Sequence, residues 1–313
     1  CSAVVTYTPP VGTDNCPGAT TIQTAGLASG SAFPVGTTIN TFEVTDTSGN
    51  TASCSFNVVV TDDEMPMAVC QDITVQLDAS GNASIVASDV DGGSSDNCSI
   101  ASSSIDITSF DCSNVGTNNV VLTVTDPAGN TSTCTAIVTV EDMILPLAIC
   151  QDITIQLDGS GMATITAADI DGGSSDACGI DTTAIDVSTF DCSNIGTNNV
   201  TLTVTDMNGN MNSCVAVVTV EDVEVPDAVC QDITVQLDAS GMATIVATDV
   251  DGGSTDNCGT PTLAIDMNTF DCSDVGVNDV TLTVTDANGN VNSCIAEVTV
   301  EDSVAPMAVC QDI

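Results

Sequence analysis

The chain has 313 residues, 43 of them Asp or Glu, and no Lys, Arg or His, which gives a formal charge of −43 at neutral pH. Without one cationic side chain it cannot grip a phosphate backbone or an anionic membrane surface, so nucleic acid is excluded as a partner. No apolar stretch approaches the roughly 18 residues of a bilayer-spanning helix, which argues against membrane insertion of this segment.

Hydrophobic residues nevertheless make up 42% of the chain, too many for a solvated acidic tail, so a folded protein is expected. General acid–base and nucleophilic catalysis lean on His, Lys or Arg. A glycosidase-like carboxylate pair would sit once in an aromatic-lined cleft, whereas these acids recur and aromatics are only 2%. The expectation is that the protein is not an enzyme.

In chain order, residues 1–66 read as the C-terminal part of one unit, cut in mid-pattern as if from a longer chain. From there the tetrapeptide CQDI recurs at Cys70, Cys150, Cys230 and Cys310, an interval of 80 residues without insertion or deletion. This divides the chain into copies at 67–146, 147–226 and 227–306, with 307–313 opening a further one. Each copy runs through QLD-x-SG, a D-x-DGG loop, an F-D-C triplet at Phe110, Phe190 and Phe270, a V-x-L-T-V-T-D strand, an x-x-GN turn and V-E-D.

The hydrophobic period within a copy is two: Ile73, Val75 and Leu77, then Leu122 and Val124, then Ala136, Val138 and Val140, each alternating with outward residues. Turns at ASGN from Ala79 and PAGN from Pro127 are expected to close hairpins, and no stretch shows a helical period. The fold class is therefore all-β: tandem Ig-like β-sandwich domains arranged end to end as a rod. With few large side chains the core is thin, and sixteen Cys at fixed positions are expected to compensate as disulfides in an oxidising compartment. Zinc thiolates would need C-x-x-C spacing or His, and neither is present.

The segment Ser31 to Pro66, with FPVGTT followed by TDTSGN and a Cys-bearing last strand, resembles the HYR (hyalin repeat) family. The 80-residue copies are similar to HYR-like repeats of giant Bacteroidota surface and gliding adhesins exported by the type IX system, but depart from the FPxGT motif where Phe110 is followed by DCSNVG. The resemblance implies an extracellular, secreted or cell-surface location, an adhesive or filamentous role, and a disulfide from first strand to last. Carried over, that pair is Cys70–Cys134, Cys150–Cys214 and Cys230–Cys294. With those taken, Cys98 is left to Cys112, Cys178 to Cys192, Cys258 to Cys272 and Cys1 to Cys16, while Cys54 and Cys310 look to partners beyond the stretch.

The loops DVDGGSSDNC, DIDGGSSDAC and DVDGGSTDNC carry acids at calcium-like spacing but lack the Glu and flanking helices of an EF-hand. Copies that continue end to end need an odd number of strands, which brings the D-x-DGG loop, the x-x-GN turn and the last acid of the preceding unit to one junction. The candidate ligands are Asp62, Asp89, Asp91, Asp96 and Asp126, with Asp72 nearby. The second junction offers Asp142, Asp169, Asp171, Asp176 and Asp206, with Asp152. The third offers Asp222, Asp249, Asp251, Asp256 and Asp286, with Asp232. Crowded carboxylates with no base to offset them suit Ca2+ at or near the junctions, and Asx-turn chemistry is the alternative the sequence leaves open. Expected partners are neighbouring repeats of the same chain and other copies in a filament. The functional expectation is a calcium-stiffened shaft of a surface adhesin or filament, with a laterally self-assembling fibre or sheath as the alternative.

Overall fold

The structure, a computed structural model, describes residues 1–309; Cys310 lies outside the described residues. The chain divides into two compact units, Cys1–Ile144 and Leu145–Ile313.

In the first unit, residues 1–60 form strands β1 (Ser2–Val4), β2 (Thr20–Ala25), β3 (Ala32–Pro34), β4 (Gly36–Thr45) and β5 (Thr51–Val60). Strands β2, β4 and β5 make one sheet, and β1 pairs with β3 in another. Tyr7 lies edge-on to Phe33, Phe42 and Phe56, an aromatic core that the later copies lack.

The first full copy follows as β6 (Ile73–Gln76), β7 (Asn82–Ser84), the single helical turn α1 (Ala87–Val90), β8 (Ser102–Ile105), β9 (Ser109–Asp111), β10 (Gly116–Thr125) and β11 (Thr131–Glu141). Its larger sheet has the order β6-β11-β10-β8, and β7 with β9 forms the smaller one. Period-two burial follows directly: Val120, Leu122 and Val124 on β10 and Ala136, Val138 and Val140 on β11 are buried. Phe110, Val90, Leu77 and Ile85 are buried as well and complete the core.

In the second unit the same order recurs at Ile153–Gln156, Met162–Thr164, Ile180–Ile185, Thr189–Asp191, Gly196–Asp206 and Met211–Glu221, and again from Ile233–Gln236 to Val291–Glu301. The protein is thus an all-β chain of repeated two-sheet sandwiches.

Two details differ from the sequence expectation. The ASGN turn does not close a hairpin: β6 pairs in parallel with β11, and the chain crosses at Asp78–Asn82 to β7 in the other sheet. An odd strand count is also unnecessary, because a parallel first and last strand already sends the chain out of the copy in the direction it came in.

The disulfides Cys70–Cys134, Cys150–Cys214 and Cys230–Cys294 tie the segment before each copy's first strand to its last strand. Each closes a span of 64 residues, worth about 4 kcal/mol on the chain-entropy account.

The remaining pairs require correction. Cys98 bonds Cys1 rather than Cys112, and Cys192 bonds Cys258 rather than Cys178. Cys112 and Cys178 are disulfide-bonded, while Cys16, Cys54 and Cys272 are free and exposed. The reason is geometric. Cys112 directly precedes β10 at its Gly116 end, whereas the loop carrying Cys98 meets β10 at Thr125. Ten residues of extended strand separate those ends, about 30 Å, and a disulfide needs Cα atoms about 4.4–6.8 Å apart. A staple between adjacent copies satisfies both cysteines where one within a copy cannot.

Cys1 shows the same rule with the cysteine moved. Ser2 faces Pro34 as Asn82 faces Asp111, so Cys1 stands where the copy has Gly81 and Val35 where it has Cys112. The thiol has crossed to the facing strand, yet it still bonds the next unit's Cys98.

Digestion with an Asp- or Glu-specific protease under non-reducing conditions is expected to recover Cys192 linked to Cys258; recovery of Cys178 linked to Cys192 would contradict this topology. A second outcome concerns acid. Asp191 caps the turn Cys192–Asn194, accepting from the Ser193 hydroxyl at 2.6 Å and its amide at 2.8 Å. These bonds, the hydroxyl's first, hold its carboxyl below the ordinary value of 3.8. A lowered folded-state value means the contribution is present above that range and is lost as pH falls through it. Asp191→Ala should therefore melt below the parent at pH 7, and thermal scans should show the gap closing as pH falls below the ordinary carboxylate range.

Candidate metal centre

Each site begins with the hairpin turn that joins the last two strands of a copy. Asp126 is 2% exposed and organises the turn: its Oδ1 accepts from the Asn130 amide at 2.7 Å and its Oδ2 from Asn130 Nδ2 at 2.8 Å. Asn130 Nδ2 also donates to the carbonyls of Asp62 at 2.9 Å and Glu64 at 3.1 Å, fastening the linker from the preceding unit onto this turn. In the third copy Asp286 accepts from the amides of Asn288 and Asn290 and from Asn290 Nδ2, which also reaches the Asp222 carbonyl at 3.1 Å.

The second carboxylate comes from the D-x-DGG loop. That loop is seated by Gly92, whose Cα faces the Cys70 carbonyl so closely that an added Cβ would lie 3.0 Å from it, and by Gly93 with φ +105°. Bridges Met67↔Ser95 and Cys70↔Asp91 stitch the loop to the incoming linker. Asp96 then accepts from the Cys98 amide at 2.6 Å through Oδ2, and Asp256 from the Cys258 amide at 2.8 Å. Asp62 and Asp222, at the end of the preceding unit, supply the third.

One carboxylate oxygen each from Asp62, Asp96 and Asp126 lie within 4.8 Å of one another, and so do one each from Asp222, Asp256 and Asp286. Asp222 is 7% exposed and its Oδ2 is buried without a hydrogen-bond partner, as are Oδ1 of Asp256 and Oδ1 of Asp96. Burial pushes the Asp286 carboxyl up, but the Asn290 side chain and the turn amides outweigh it and hold the group below its ordinary range. The site therefore cannot shed its repulsion by protonating Asp286. Like unit charges about 4 Å apart repel by about 4 kcal/mol at the effective dielectric of such sites, a large share of a domain's net stability of about 5–15 kcal/mol. Unpartnered buried carboxylate oxygens facing a fixed anion fit a hard divalent cation, and oxygen-only donors suit calcium.

The other expected ligands are not brought into these clusters, because each spends its carboxylate on nearby amides. Asp72, Asp152 and Asp232 accept from the amides of Ile137, Val217 and Glu297 on the last strand. Asp89, Asp169 and Asp249 cap the turn after the second strand through Val86, Thr166 and Val246. Asp91, Asp171 and Asp251 hold the Gly-Ser turn through Ser94, Ser174 and Ser254, whose amides and hydroxyls lower their titration. In the second copy Asp176 accepts from the Cys178 amide and Asp206 is 1% exposed. Asp142 is buried at the end of the first unit.

The HYR domain matches residues 1–60. Among solved structures, extracellular cadherin domains 1–4 of protocadherin gamma B7 are 11% identical, covering 84% of this chain and 83% of that one at a TM-score of 0.32. Mouse cadherin-23 domains EC22–24 are 12% identical, covering 77% and 100% at 0.33, and Drosophila N-cadherin EC1–4 is 11% identical, covering 92% and 93% at 0.30. Scores at this level carry no function from one protein to another.

Calcium at a hundredfold excess over its Kd is expected to stabilise a site by about 2.7 kcal/mol. The double change Asp222→Asn and Asp256→Asn should reduce the calcium-dependent rise in Tm, whereas Asp249→Asn and Asp251→Asn together should leave it intact. Differential scanning calorimetry with and without chelator separates the two.

Proposed function

We propose that this chain is a non-catalytic, calcium-stiffened shaft segment of an extracellular surface adhesin or surface filament, of the kind its resemblance to giant Bacteroidota surface repeats suggests. The single observation behind it is that a disulfide and a cluster of three carboxylates, one of them from the preceding repeat, meet at the boundary between adjacent repeats. A catalytic cleft has no use for such reinforcement, whereas a load-bearing spacer does.

The linkers alone are poor stiffeners. Met65, Met67, Val223 and Val225 are exposed, so little apolar surface is buried there to fix an angle. The cation would add Coulombic attraction where burial is missing, with Asp62, Asp96 and Asp126, or Asp222, Asp256 and Asp286, holding it. Its partners in this reading are neighbouring repeats and other copies in a filament. Those exposed linker side chains are also what favours the second reading, a fibre or sheath with lateral contacts between chains.

The disulfides accord with an oxidising, extracellular compartment. Extracellular modules bind calcium with Kd of about 10⁻⁴ to 10⁻³ M, so such sites fill outside the cell and stay empty inside it. Small-angle scattering should give a longer, stiffer particle in millimolar calcium than in chelator. Identical profiles would sink the stiffening role, and lateral bundles that persist in chelator would favour the sheath.

A further inference from the structure

Both halves of a second kind of site stand exposed on this chain. The staple Cys192–Cys258 is built from a socket and a plug. The socket is the turn Asp158–Met162 with Cys192, whose Sγ lies 3.8 Å from the Gly161 carbonyl. The plug is the tetrapeptide Thr255-Asp256-Asn257-Cys258, where Asn257 Nδ2 donates to the Asp158 carbonyl at 3.0 Å and the Asn257 carbonyl lies 3.5 Å from Cys192 Sγ.

The third copy repeats the socket with its thiol free. Asp238–Met242 forms the same turn, and Cys272 Sγ lies 3.9 Å from the Gly241 carbonyl. Asp302, the counterpart of buried Asp222, directly follows the last strand and is exposed.

The first unit repeats the plug, also with its thiol free. Thr13-Asp14-Asn15-Cys16 is identical to the tetrapeptide at 255–258, and Asp14 Oδ2 accepts from the Cys16 amide at 2.9 Å as Asp256 does from Cys258 at 2.8 Å. Asp46 organises its turn through Ser48 and Asn50 just as Asp286 does through Asn288 and Asn290. Burial is not what hides these cysteines: Cys16 and Cys272 are exposed.

We propose that Cys272 and Cys16 are the two matching halves of the same inter-repeat staple, Cys272 built to bond the Asp-Asn-Cys cysteine of an adjoining repeat of this type, in the same chain or another, and that a second copy of this chain supplied in solution docks head to tail through its Cys16. The contact is heterologous, and repeating it generates an open filament rather than a closed dimer. It also brings Asp302 to Asp14 and Asp46, assembling the same three-carboxylate set found at Asp222, Asp256 and Asp286. The staple itself does not depend on the calcium reading, since Cys192–Cys258 is a covalent contact.

The chemistry is thiol–disulfide exchange with a low-molecular-weight disulfide such as oxidised glutathione. The Cys272 thiolate attacks one glutathione sulfur and expels a glutathione thiolate. The Cys16 thiolate of the second copy then attacks Cys272 Sγ of that mixed disulfide and expels the other. Two protein thiols are oxidised and one glutathione disulfide is reduced to two thiols.

The 313-residue chain, folded with its internal disulfides, is incubated with oxidised glutathione in millimolar calcium and about 0.5 M salt to screen its charge. A covalent ladder is expected on a non-reducing gel, with Cys16–Cys272 recovered by peptide mapping. Cys16→Ser and Cys272→Ser should each abolish the ladder. Cys54→Ser should leave it unchanged, since Cys54 is equally free and exposed but has no socket. A parallel reaction in chelator at the same salt that still yields the Cys16–Cys272 ladder supports the staple whatever becomes of the calcium reading. A chain that stays monomeric in both reactions, a ladder carried by Cys54, or symmetric Cys272–Cys272 dimers alone would overturn the proposal.

Discussion

With no basic residue, every interaction between charged side chains in this protein is repulsive, and the fold has to be built from what remains. Three things remain: period-two burial of small aliphatic side chains, covalent cross-links, and hydrogen bonds from amides to carboxylates. The last absorbs a large part of the negative charge. Asp46, Asp126, Asp158, Asp191, Asp238 and Asp286 each close a turn by accepting from amides two to four residues on, and each titrates below the usual carboxylate range. An acid held this way acts as a backbone organiser and needs no counter-charge to be tolerated at the surface.

Where that device runs out, the structure marks the place. Asp222, Asp256 and Asp286 come from three separate segments, and the first two keep oxygens that no amide reaches. The difference between a turn Asp and a candidate ligand Asp is therefore a matter of spare lone pairs rather than of sequence spacing. In the loop DVDGGSSDNC, Asp89 and Asp91 are consumed locally, and only Asp96 retains a buried oxygen without a partner.

Much of this was legible in the sequence. The 80-residue repeat, the two-residue alternation at Leu122 and Val124 and the x-x-GN turns were enough to specify an all-β repeat and to bring the last acid of one unit towards the D-x-DGG loop of the next. What could not be read was which of several adjacent carboxylates has amides within reach, because that depends on turn geometry such as the close approach of Gly92 to the Cys70 carbonyl. The cysteines failed for a different reason. Pairing Cys98 with Cys112 assumes that a repeat is self-contained, and the length of β10 between them forbids it. The signal that could have corrected this was present: Asp-Asn-Cys stands at Asp96-Asn97-Cys98 and again at Asp256-Asn257-Cys258, while the cysteine that meets it follows Asp191 in the second copy and precedes β1 at the start of the first unit.

That displacement of the cysteine is informative about what the architecture requires. Cys1 and Cys112 flank facing strands, so the cysteine does not keep one position, yet each lies at the same end of the smaller sheet of its repeat. A residue retained for packing inside one sandwich would have no reason to reappear across the ladder in the same place. A residue retained because it must reach the neighbouring unit would be free to move between strands so long as the thiol stays at that end. The covalent link thus constrains the relation between successive units rather than the stability of either. A cation held by the carboxylates at the same boundary, as proposed, would have the complementary character, since a disulfide fixes a distance whether or not the medium changes and oxygen ligands would respond to the calcium around them.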